Sequence, residues 1–160
     1  MTNVWNPSPS VEHLPESVRL AINAVAPAFA AMTINAMLML GGGGADLPVF
    51  EAGPPPWASA IIWIVMLVML GVARFDLSCA DAAETFAIDT LLVATIIYPF
   101  SAQAFDAHWM AANTLTVLAI AAMSVVAAFP QSRRAAGFVA PAVAWLGWSS
   151  WAAIAQVAAA

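Results

Sequence analysis

The chain has 160 residues, 63% of them hydrophobic and only 8% charged, with a mean hydropathy of +0.88. Soluble domains carry about 25% charged residues, so this chain cannot cover itself in water and reads as a single-domain integral membrane protein. Four arginines, no lysine and a net charge of −5 exclude nucleic acid as a partner, and a lone Cys79 excludes an internal disulfide or a CxxC site.

Residues 1–18 form a polar, acidic segment with Glu12, His13 and Glu16 among three prolines. The segment lacks the basic start of a signal peptide and is expected on the membrane surface. A first span is expected over 19–40, interrupted by Asn23, Pro27, Thr33 and Asn35, and ended by Gly41 to Gly44, which strip helix propensity. Residues 45–56 read as a loop carrying Asp46 and Glu51.

Pro54-Pro55-Pro56 then gives a stiff start to a second span over 57–73, since prolines begin helices but do not continue them. Arg74 closes that span. A third span is expected over 82–104, with Pro99 near its far end, and a turn at Asp106, His108 and Trp109 follows. The fourth span covers 109–129, and Pro130 to Arg134 form the next turn. The fifth covers 135–157 with Pro141 inside it, a proline that neighbouring membrane helices tolerate. The expected fold is an all-α, five-helix membrane bundle. With five spans, Arg19, Arg74, Arg133 and Arg134 all fall on one side. The positive-inside rule then sets the N-terminus in the cytoplasm and the C-terminus opposite.

Depth follows from a rise of about 1.5 Å per residue. Trp57 falls at the membrane interface, which suits an apolar ring with one N–H. Trp63 lies about 9 Å deeper, Trp145 about 15 Å and Trp148 about 10 Å below the same surface. Asn35, Tyr98 and Asn113 fall in the same half. Rings and polar groups from all five helices therefore reach one level beneath residues 41–56. The candidate ligand-binding set is Trp57, Trp63, Trp145, Trp148, Asn35, Tyr98 and Asn113, weighed against ordinary packing or lipid contact of the same side chains.

These residues carry a family resemblance. Pro54-Pro55-x-Trp57 followed by Trp63 resembles the PPxW…W start of the second helix in the tryptophan-rich sensory protein / translocator protein family (TspO/MBR), which includes the peripheral benzodiazepine receptor. The run from Arg134 through Gly137 and Pro141 to Trp145 is similar to that family's AGxLxxPYxxW start of the fifth helix, and Phe86 to Phe100, with Pro99, to its third helix. The resemblance covers roughly residues 20–157. It implies a five-helix bundle, often dimeric, that binds porphyrins and other hydrophobic ligands beneath the loop joining helices one and two. It also implies that Trp63 and Trp145 correspond to paired pocket tryptophans, which some bacterial members are proposed to use in light-dependent porphyrin breakdown. The chain departs from the pattern at Ala142, Thr90, Ala94, Ile97, Ala52 and Ala153, where the family carries tyrosine, glutamine, asparagine or tryptophan.

Other chemistry is sparse. Asp89 is expected inside the third span, about 10 Å from the inner surface, a functional candidate by its cost there or else a carboxyl bonded to Thr90 or a neighbouring helix. Asp81 and Glu84 read as solvated or paired with Arg74. His108 is a candidate haem or chlorophyll ligand, or a solvated turn residue. No Ser/His/Asp set exists, and Gly41–Gly44 is followed by acids and no lysine, a hinge rather than a phosphate loop. Small residues four apart (Ala24 and Ala28, Ala140 and Ala144, Ala155 and Ala159) fit internal packing, a homodimer or docking to another membrane protein.

Two function classes result. One is a binding protein for a porphyrin- or tetrapyrrole-like ring, with a regulatory or transport role, in a bacterial inner membrane. The other is an accessory subunit of a larger membrane assembly, such as a pigment-binding photosynthetic complex, with a degenerate pocket. No cofactor is required by either, and catalysis has no visible acid or base to serve it.

Overall fold

Among the described residues of this computed structural model there are five helices: α1 (Glu16–Leu40), α2 (Pro56–Ser78), α3 (Phe86–Ala104), α4 (Ala107–Ala128) and α5 (Arg133–Ala159). The structure describes residues 14–41, 53–79, 85–104, with backbone alone over 99–104, and 106–159. Local chemistry sets several of the ends. Pro55 and Pro56 stand at the start of α2, where a missing N–H costs nothing. Asp106 caps α4 by accepting the Trp109 N–H at 3.0 Å. Ser132 does the same for α5, accepting the Ala135 N–H at 3.1 Å. Pro27 and Pro141 lie within α1 and α5 without ending them.

The helices close a ring in the order α1, α2, α5, α4, α3 and back to α1, and α2 also touches α3. The core is aliphatic and small: Leu67, Leu70 and Leu77 from α2, Ile88 and Leu91 from α3, Ala121 from α4, and Val139, Ala142 and Leu146 from α5. The outside is equally apolar, with Phe29, Leu40, Ile61, Val93, Val126 and Ile154 exposed. Such a surface is expected of a protein whose solvent is lipid. Four helices, α1, α2, α4 and α5, are long and apolar enough to cross a membrane, and the described apolar run of α3 is Phe86–Tyr98. The chain is an all-α helical bundle of membrane character.

Gly71 fixes the α1–α2 crossing. A Cβ there would stand 2.8 Å from the Asn23 carbonyl carbon and 2.9 Å from the Ala24 Cα, inside the contact distance of the α1 backbone. Ala24 and Ala28 thus serve internal packing, whereas Ala140, Ala144, Ala155 and Ala159 are exposed on α5. A second interhelical tie joins α4 to α3, where the buried Ser124 hydroxyl lies 3.0 Å from the Ala87 carbonyl oxygen and 2.8 Å from the Ile120 carbonyl oxygen of its own helix.

Two boundaries differ from the sequence expectation by four residues or more, the end of α2 and the start of α3. Arg74 does not close α2, which continues to Ser78 and so carries Asp76 as well. The third helix begins at Phe86, not 82, so Asp89 occupies its first turn instead of a position deep in the span. Asp81 and Glu84, expected as partners of Arg74, lie outside the described residues, as do His13 and the loop acids Asp46 and Glu51.

Candidate functional site

Height along the bundle can be counted from the end that holds the arginines, namely the start of α1, α3 and α5 and the end of α2 and α4. At about 1.5 Å per residue, Tyr98 and Trp145 stand about 18 Å from it, Thr114 about 21 Å, and Trp63, Asn113 and Trp148 about 22 Å. Ser150 stands at about 25 Å and Asn35 at about 28 Å. Apart from Trp57, at about 31 Å, the expected site residues of the five helices therefore occupy one slab about 10 Å thick.

Three of the helices make direct contact within that slab. The Trp63 ring on α2 lies on the Tyr98 ring on α3, centroids 5.3 Å apart and tilted by 37°, a geometry aromatic pairs favour. The Tyr98 hydroxyl reaches the Thr114 hydroxyl on α4 at 3.1 Å. Thr114 is fully buried and also donates to the Met110 carbonyl at 2.7 Å. With its proton committed there, Thr114 accepts from Tyr98. On α5, Trp145 and Trp148 pack ring against ring at 4.9 Å. The two tryptophans that the family resemblance pairs thus have different ring partners: Tyr98 for Trp63, Trp148 for Trp145.

Two polar atoms at this level are buried without a hydrogen-bond partner, the Trp63 indole nitrogen and the Ser150 hydroxyl. Ser150 is 2% exposed. Among the other expected site residues, Trp57 sits in the first turn of α2 and is 68% exposed, while Asn35 and Asn113 are half-buried. Sequence reasoning named Asn113 and passed over Thr114, its buried neighbour that holds Tyr98. It also passed over Ser150. Both were visible as polar residues inside a span, but nothing in an evenly apolar helix shows which face turns inward.

The opposite end carries the charges. Arg74 donates through Nε to Asp89 Oδ1 and through Nη1 to Asn23 Oδ1 at 2.6 Å, joining α2 to α3 and α1. Asn23 in turn donates to the Arg19 carbonyl at 2.9 Å. Asp89 therefore pairs with Arg74, and Thr90 bonds its own helix at the Phe86 carbonyl. Side chains of Arg74 and Asp89 remain 40% and 39% exposed. On the other side of α2, Arg134 Nε lies 3.3 Å from Asp76 Oδ2, within ion-pair range but without hydrogen-bond alignment. Arg19, Arg133 and Arg134 also lie over the rings of Phe75, Phe129 and Phe138.

Among the described residues no three His, Cys, Asp or Glu side chains gather as a metal site requires. His108 is exposed in the first turn of α4. Comparison with protein-family models, with curated proteins and with solved structures found no match to this chain.

Proposed function

We propose that the bundle binds a hydrophobic ring compound, porphyrin- or tetrapyrrole-like, at the tryptophan level, in the manner of the TspO/MBR family that it resembles. The role is regulatory or transport, and the setting is a bacterial inner membrane with the arginine end in the cytoplasm. The observation that carries this reading is the Trp63 indole N–H, buried beside the Tyr98 ring with no acceptor of its own. A donor left unmade in an apolar interior costs about 1–3 kcal/mol, which an acceptor on a bound ligand would remove. Flat rings from α2 and α3 supply the stacking surface.

Trp63→Ala should weaken porphyrin binding by roughly tenfold or more, measured by titrating the ligand's absorption band in lipid nanodiscs. Unchanged affinity would refute the site. A second reading, an accessory subunit of a larger pigment assembly, draws on the exposed small residues of α5 (Ala140, Ala144, Ala155) and on Trp151, which is 61% exposed. In that case Ala144→Phe should release the protein from a large particle on a sizing column in mild detergent. Elution of the wild type as a small, ligand-binding species would exclude it.

A further inference from the structure

Charge is segregated along this bundle in a way that restricts what the tryptophan level can hold. All four cationic side chains that stay charged at neutral pH, Arg19, Arg74, Arg133 and Arg134, belong to the arginine end. Counted along their own helices, Arg74 lies about 16 Å below Trp63 and Arg134 about 24 Å below Ser150. Arg74 is already held by Asp89 and Asn23, and Arg134 by Asp76. At the opposite end of the bundle the described residue with a basic side chain is His108, exposed and two residues from Asp106. The segment joining α1 to α2 carries Asp46 and Glu51 and no basic residue.

A carboxylate brought to this level would thus lose its water and meet no counter-charge, a large penalty in an apolar interior. The groups that the level does offer are neutral. The Trp63 N–H can only donate, and it is buried without an acceptor. The Ser150 hydroxyl, also unpartnered, can donate as well.

We infer that the ligand is electrically neutral and carries a carbonyl-type acceptor for the Trp63 N–H, as a quinone or a fully esterified tetrapyrrole does and a free-acid porphyrin does not. The inference rests on the binding reading above and narrows it. Selection works by exclusion as much as by attraction: a neutral carbonyl satisfies the indole N–H, and an ionised side arm held at this level meets no cation.

The test compares a dicarboxylic porphyrin with its dimethyl ester on the full chain in nanodiscs. Affinities are read from the porphyrin absorption band and corrected for partition into empty nanodiscs. The ester should bind at least about tenfold more tightly. Equal or tighter binding of the diacid would overturn the inference while leaving the ring-binding reading intact. Saturable binding of neither would end both. Trp63→Phe keeps a ring against Tyr98 and removes the donor, so it should weaken the ester by about five- to tenfold. Undiminished ester binding by this variant, with an unchanged sizing profile, would refute the hydrogen bond from Trp63.

Discussion

Replacing Gly71 with alanine adds one carbon where α1 and α2 touch backbone to backbone. That carbon would lie 2.8 Å from the Asn23 carbonyl carbon and 2.9 Å from the Ala24 Cα, and closer still to the Asn23 carbonyl oxygen. Carbon atoms pack at about 3.5–4.0 Å, so the helices must part by roughly 1 Å. No side chain can swing aside, because the obstructing atoms are backbone. Arg74 lies one turn further along α2, and its 2.6 Å bond to Asn23 would stretch with the same movement. Overpacking of this kind costs about 1–3 kcal/mol. Helix α1 is vulnerable to it, since its buried residues are Ala28 and Ala31. Gly71→Ala should therefore lose about 1–3 kcal/mol in reversible unfolding followed by circular dichroism in mixed micelles. Gly147→Ala is the control: nothing stands within 4 Å of a Cβ there, and alanine's better helix propensity predicts a change between zero and about 1 kcal/mol of stabilisation. Equal stability of Gly71→Ala and wild type, or equal damage from Gly147→Ala, would refute the close-approach argument.

The hydroxyls give a second contrast. Ser124→Ala removes the tie to the Ala87 carbonyl on α3 and should cost about 0.6–1.7 kcal/mol in the same unfolding assay. Ser149→Ala loses a bond within its own helix, to the Trp145 carbonyl, and should change stability by less than about 0.5 kcal/mol. A larger loss for Ser149→Ala than for Ser124→Ala would contradict the assignment of the interhelical bond. For Arg74 and Asp89, a double-mutant cycle with alanine should give a coupling of about 1 kcal/mol, not several, because both side chains are well exposed. A coupling above about 3 kcal/mol would mean that the pair is shielded from water.

Helix number and approximate extent were legible because a chain this apolar leaves only prolines, glycines and charges as punctuation. The punctuation misled at Arg74. A lone arginine at the end of an apolar run reads as a span end, since an unpaired charge is costly inside a bilayer. Here Asp89 and Asn23 hold the charge sideways, and α2 runs on to Ser78. The error carried over to Asp89, whose depth was counted from residue 82 although α3 starts at Phe86. Four residues are about 6 Å, enough to turn a first-turn residue paired across helices into an apparent intramembrane acid.

Level along the bundle could be counted from the sequence, but facing could not. In a soluble helix, polar residues mark the outer face, whereas here Phe29 and Val126 look outward and Leu67 and Val139 inward with the same apolar chemistry. What distinguishes the inside is size and hydrogen bonding: Gly71 against Ala24, Ser124 on Ala87, Thr114 under Tyr98. None of these stands out in its span from the sequence, and each becomes informative only when the partner helix is known. Charge follows a simpler rule. Arg74 with Asp89 and Asn23, and Arg134 with Asp76, tie α1, α2, α3 and α5 at one end. Among the described residues, the other end carries cross-helix contacts of aromatic rings and hydroxyls, Trp63 on Tyr98 and Tyr98 on Thr114. On the proposed ring-binding reading, a site built there would select its ligand by shape and by neutral donors, with no cation at that level to hold an ionised group.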